Sequence, residues 1–171
     1  MTNNLNQLIT EHTDFPQKGI VFKDVLPLLQ YPDVFTDLIN NMSSSEIFKD
    51  SDAIISIDAR GFIFGTAISI KLSMPMIVAR KPGKLPGELV TKSYELEYGI
   101  NSLCIQKKAI EQYKSFVIVD DLLATGGTVT CVSDILKEAG KEINGLSVVA
   151  ELGHLNAKNR LPFPVQSEII F

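Results

Sequence analysis

The stretch "FVIVDDLLATGGT", residues 116–128, runs four apolar residues into two carboxylates and follows them with a glycine pair between threonines. A β-branched, nearly continuous apolar run predicts a strand buried on both faces, as in a parallel sheet. Carboxylates are costly to bury without partners, and paired glycines weaken regular structure. Asp120 and Asp121 stand at the carboxyl end of that strand, where open α/β sheets bind ligands. A helix starting near Gly127 or Thr128 offers free N–H groups and about half a positive charge at its N-terminus. Ala124, Gly126 and Gly127 let the backbone wrap an anion, and Thr125 and Thr128 add hydroxyl donors. An N-cap, a tight turn and two solvated aspartates would account for any single piece of the string. A phosphate in the loop, with a hydroxyl-bearing group over the aspartates, accounts for all of it, and that is the footprint of a ribose 5-phosphate.

Working outward, "AIISID" (53–58), "MIVAR" (76–80) and "LSVVAEL" (146–152) repeat the buried-strand pattern. Helical spacing of three and four joins Val34, Phe35, Leu38, Ile39 and Met42, then Ile63, Ala67 and Ile70. It returns at Val129, Val132, Ile135, Leu136 and Ala139, with Gly140 as the residue that ends the helix. Alternation of strand and helix predicts one α/β domain over 1–171, an open, mainly parallel twisted sheet with helices on both faces. The first dozen and the last twenty residues carry no motif.

Bulk composition narrows the class. The chain has 171 residues, enough to bury about 70% of its unfolded surface. A net charge of -4 with no Lys/Arg tract argues against nucleic acid or a membrane surface as partner. The start shows no cationic flank before an apolar core, and no window is long and apolar enough to span a bilayer, so a cytoplasmic protein with reduced thiols is expected. His12, His154, Cys104 and Cys131 have no partners at metal-binding or catalytic spacing and read as structural, Cys131 as buried.

Two stretches break the rhythm: 13–32, rich in Pro and Gly, and 81–99, where "KPGKLPGE" precedes the alternating "SYELEY". Long irregular connections in a compact domain are usually binding loops or lids. Arg80, Lys81 and Lys84 cluster at the end of a strand, which is either a solvated cationic turn or an anion site. Asp58-Ala59-Arg60-Gly61 repeats the strand-to-helix logic, and Arg60 is either a surface arginine or a planar fork for phosphate oxygens. Glu95 and Glu97 fall on one side of their strand, Tyr94, Leu96 and Tyr98 on the other; the pattern alone reads as an exposed hairpin. Phe22 in "GIVFKD" reads by default as core.

"VIVDDLLATGGT" resembles the phosphoribosyl-pyrophosphate signature of the type I phosphoribosyltransferase family, and "LLATGGT" is worded as in its adenine-using members. "DFPQKGIVFKDVLPLL", "IDARGFIFG", "RKPGKLP" and "SYELEYG" follow in that family's order, across nearly the whole chain. The resemblance implies a hood over about 1–32, in which Phe22 stacks on the purine while backbone groups of Val21 and Lys23 read its edge. It implies a pyrophosphate loop at Asp58, Ala59 and Arg60, with a cis peptide near Asp58-Ala59. Arg80, Lys81 and Lys84 would also meet pyrophosphate, from the same or a neighbouring subunit of a homodimer. A flexible flap over 81–99 would bring Glu97 to the purine proton and Tyr98 over the leaving group. Asp120 and Asp121 would hold the ribose hydroxyls. Mg²⁺ would ride on pyrophosphate and ribose oxygens with no direct protein ligand. The implied reaction joins adenine to 5-phosphoribosyl 1-pyrophosphate. A 6-oxopurine transferase and a non-catalytic nucleotide sensor on the same fold are the alternatives.

Overall fold

The computed structural model describes the backbone of residues 2–96 and 99–171, and the side chains of residues 5–94 and 101–171. Helix α1 (Thr2–Leu8) leads into the hairpin β1 (Thr10–Thr13) and β2 (Val21–Asp24), followed by a short 3-10 turn and α2 (Pro32–Ser43). Then come β3 (Ala53–Ile57), α3 (Gly61–Leu72), β4 (Met76–Ala79) and a second hairpin, β5 (Leu89–Leu96) and β6 (Gly99–Gln106). The chain continues through α4 (Lys107–Glu111), β7 (Ser115–Leu123), α5 (Gly127–Glu138), β8 (Glu142–Glu151) and β9 (Val165–Ile170).

Five strands form an all-parallel sheet in the order β4-β3-β7-β8-β9. Strand β7 is central, and its period of two feeds two cores. Phe116 and Ile118 join Val129, Val132, Ile135 and Leu136 of α5, whereas Val117 and Val119 join Leu38, Met42, Phe64 and Ile68 of α2 and α3. All four β7 residues are fully buried. Each stabilises the fold by about 1.5–3 kcal/mol relative to exposure, which offsets the cost of two acids in the same strand. Among the described residues no helix is long and apolar enough to cross a membrane.

The sheet order reverses direction between β3 and β7. From β3 the chain crosses over through α3 to β4 on one side; from β7 it crosses through α5 to β8 on the other. A crevice therefore opens between their carboxyl ends, the topological switch point where such sheets bind ligands.

Three expectations change. Strand β7 does not stop at Asp120: it stays paired with β8 as far as Leu123↔Glu151, while its pairing with β3 ends at Ser56↔Val119. The acids thus lie within a strand, on the edge that β3 has just vacated. The α3 face predicted from Ile63, Ala67 and Ile70 is not the buried one, since Ile70 is 75% exposed. Gly61, Phe64, Gly65 and Ile68 face the sheet instead, because α3 is apolar nearly all round and the glycines allow close approach. Finally, the supposedly plain C-terminus supplies β9, whose Val165 and Ile169 close the two cores.

Candidate active site

Asp120 and Asp121 are 9% and 4% exposed, and the Asp121 amide donates to Asp120 Oδ1 at 2.9 Å. Burial, then the neighbouring Asp121 charge, pushes the Asp120 carboxyl well above the usual carboxylate range. Burial raises Asp121 too, opposed by the guanidinium of Arg60. Arg60 Nε lies 2.7 Å from Asp121 Oδ2, at an angle that makes an ion pair rather than an aligned hydrogen bond. The packing is specific: a Cβ on Gly61 would come within 2.9 Å of Asp120 Oδ1 and 3.0 Å of the Val119 carbonyl. Only a glycine lets the start of α3 seat directly on β7, and that seating brings Arg60 to Asp121.

Below the acids, β7 turns through Ala124, Thr125 and Gly126 into α5. Gly126, with φ 82°, takes the left-handed conformation that a Cβ would disfavour. Asp120, Ala124, Thr125, Gly126 and Thr128 help line a cavity of about 70 Å³ over the helix start. That is room for more than one water molecule, so it suits a small compact group. Tyr94 of β5 leans on this loop: a Cβ on Gly127 would touch its ring at 3.4 Å, and its hydroxyl lies 3.3 Å from Thr128 Oγ1. Strand β5 is fastened along α5 by three further contacts, Cys131 Sγ to the Lys92 carbonyl at 3.3 Å and the Lys92 ammonium to Asp134 and to Glu138.

On the other side of the acids, a cavity of about 380 Å³ is lined by His12, Phe15, Phe22, Asp24, Leu26 and Arg60. Alternation along β2 puts Phe22 and Asp24 on this face, and the register pairs His12 with Phe22 across the hairpin. Phe15 meets Phe22 edge to face at 5.2 Å, and the Arg60 guanidinium lies 4.7 Å from the Phe22 ring centre. Phe22 is therefore a cavity wall and not core. Val21 is exposed, while Lys23 turns away to Glu11 and to the Phe171 ring. The backbone of β2 remains as their contribution to a ligand.

The Asp58-Ala59 peptide is cis, as is Phe15-Pro16. Arg80 Nε donates to Asp58 Oδ2 at 2.9 Å, which joins the ends of β3 and β4. Lys81 and Lys84 follow Arg80 on an exposed turn. Glu97 and Tyr98 lie outside the described residues. Cys104 and Cys131 are buried free thiols, in keeping with a structural role, whereas His12 joins the cavity wall. Among the described residues, no group of three or more His, Cys, Asp or Glu is placed to hold a metal ion.

Sequence reasoning passed over His12, Phe15, Asp24 and Leu26 as lining residues, and Tyr94 as a neighbour of the loop. The hairpin register would have flagged His12, had β1 been recognised; its four residues, "TEHT", are all exposed and carry no apolar alternation.

The phosphoribosyl transferase domain model matches residues 28–167. An adenine phosphoribosyltransferase of Prochlorococcus marinus (strain MIT 9211) is 75% identical over 171 residues, covering 100% of this chain and 99% of that protein. The crystal structure of adenine phosphoribosyltransferase from Thermoanaerobacter pseudethanolicus superposes with a TM-score of 0.94 at 37% identity, covering 100% of both chains. The Saccharomyces cerevisiae enzyme, complexed with an imino-altritol bisphosphate and adenine, gives 0.89 at 32% identity, over 98% of this chain and 97% of that one.

Proposed function

The chain belongs to the phosphoribosyltransferase family, among the adenine phosphoribosyltransferases, and from that premise we propose that it transfers the 5-phosphoribosyl group of 5-phosphoribosyl 1-pyrophosphate to adenine, giving AMP and pyrophosphate. One observation carries the reading. An aromatic cavity and a small loop cavity over a helix start are joined by Arg60, Asp121 and Asp120, in that order. Base, ribose and 5-phosphate need that sequence of environments.

The loop from Ala124 to Thr128 takes the 5-phosphate on backbone N–H groups, with hydroxyls of Thr125 and Thr128 beside them. Asp120 and Asp121 grip the ribose hydroxyls and face the positive charge that develops on the sugar carbon as the glycosidic bond breaks. Arg60, Arg80, Lys81 and Lys84, with the backbone of Asp58 and Ala59, receive negative charge as it moves onto pyrophosphate. In the hood, Phe22 meets the face of adenine and the β2 backbone at Val21 and Lys23 reads its edge. Glu97 manages the purine proton, a role typically worth about 10² to 10⁴-fold. Tyr98 and the rest of the 81–99 flap cover the leaving group and exclude water.

The acid pair also suits Mg²⁺. Asp120 and Asp121 stand side by side on the edge of β7 that β3 vacates, where they fit the ribose hydroxyls that would carry Mg²⁺ together with pyrophosphate. Asp120 and Asp121 would hold it through the ribose hydroxyls, and once bound with pyrophosphate it would neutralise charge on the leaving group. A homodimer in the cytoplasm belongs to the same reading. Ile20, Leu29 and Tyr31 leave apolar surface on the hood that a second copy would cover.

The test is to incubate the protein with Mg²⁺, the pyrophosphorylated sugar and, separately, adenine, hypoxanthine and guanine. AMP from adenine alone is the expected result. Nucleotide from hypoxanthine would point to a 6-oxopurine transferase, and no product to a nucleotide sensor. Asp121→Asn should lower kcat on the order of 10²-fold or more with Tm retained.

A further inference from the structure

The loop between β7 and α5 is held from outside as well as by its own turn. Three contacts from the segment after β8 brace its outer side. The Leu152 amide donates to the Leu123 carbonyl at 2.9 Å. Ala157 packs so close that a Cβ on Gly126 would lie 3.3 Å from its methyl. Arg160 donates from one terminal nitrogen to the Leu155 carbonyl and from the other to the Thr125 carbonyl, each at 2.8 Å. The last contact has a directional consequence. In a trans peptide the carbonyl of one residue and the N–H of the next point in opposite directions. Arg160 is not among the residues lining the loop cavity, so it draws the Thr125 carbonyl away from that cavity. The Gly126 N–H is thereby turned inward. Gly126, with φ 82°, is also the residue most free to flip that peptide if nothing held it.

We infer that Arg160 is a positioning residue for the 5-phosphate site: its two-carbonyl clamp sets the Thr125-Gly126 peptide so that the Gly126 N–H, rather than the Thr125 oxygen, faces the anion. The inference rests on the phosphate reading of the loop. A flipped peptide would present a carbonyl oxygen to a dianion, so the penalty falls on phosphate binding and spares the base. Lysine is not an equivalent, because a single ammonium lacks the planar fork that spans two carbonyls.

The experiment compares wild type, Arg160→Gln and Arg160→Lys. It measures the Kd of ribose 5-phosphate by calorimetry, the KM of each substrate, and Tm. Arg160→Gln is expected to weaken ribose 5-phosphate and raise the KM for the pyrophosphorylated sugar about tenfold, the scale of one lost charge-assisted hydrogen bond. The KM for adenine should stay within about twofold and Tm nearly constant. Arg160→Lys should fall between, and it keeps the question open to test if the Gln variant does not fold. If wild type binds ribose 5-phosphate and both variants match it, the clamp is not a positioning device. Equal rises in both KM values, tracking a lower Tm, would make Arg160 merely structural and also overturn the inference. Wild type that fails to bind ribose 5-phosphate would overturn the phosphate reading itself, and this inference with it.

Discussion

Gly61 and Asp120 are in contact across α3 and β7, with room for a hydrogen and not for a methyl: a Cβ would sit 2.9 Å from the Asp120 carboxylate oxygen. The N-terminus of α3, which delivers Arg60, and the β7 backbone, which presents the acids, are therefore one packed unit.

Gly61→Ala tests that unit. Gly61 has no left-handed backbone that alanine would strain, and alanine favours helix, so local propensity predicts a neutral or stabilising change. The contact predicts the opposite. Overpacking should cost about 1–3 kcal/mol, and displacement of Asp120 should lower kcat at least tenfold. Thermal denaturation and steady-state kinetics decide it; a variant as stable and active as wild type would mean the helix shifts freely on the sheet.

Arg60→Gln should change a pH profile. The guanidinium is the charge that holds the Asp121 carboxyl down against burial. Without it the acid rises further, and a larger fraction is protonated at a given pH. If ionised Asp121 grips the ribose, the acid limb of kcat/KM for the pyrophosphorylated sugar moves to higher pH in the variant. A limb that stays in place would separate Asp121 ionisation from turnover.

Asp120→Asn should stabilise the fold at neutral pH. The folded-state pKa of Asp120 is raised, so the native protein holds this proton more tightly than the unfolded chain does. Its contribution is fully present below the ordinary carboxylate range and is lost as pH rises through the raised value. Asparagine keeps an oxygen for the Asp121 amide and carries no charge. Melting curves across that window should show the variant above wild type near neutrality, converging at acid pH. Asp121, raised in the same direction, leaves a smaller slope behind. Parallel curves would mean that the carboxyl titrates normally.

The sheet's class and the turn from β7 into α5 were legible in the amino-acid pattern, because these are local. An apolar run ending in acids and glycines can be read one strand and one turn at a time, and "FVIVDDLLATGGT" needs no distant partner to be recognised. The strings of the resembling family extended that reading to Phe22, Arg60 and Arg80 by likeness rather than by geometry. Tertiary structure alone decided which residues brace and wall the site. His12 reaches the aromatic cavity through hairpin register, Tyr94 meets Thr128 because β5 lies along α5, and Arg160 reaches the Thr125 carbonyl from 35 residues away. Strand β9 escaped for the same reason: "VQSEII" has weak alternation, and its place at the sheet edge is set by pairing with β8. Local pattern records what a segment prefers; which backbone groups it will hold in place depends on neighbours that only folding brings together.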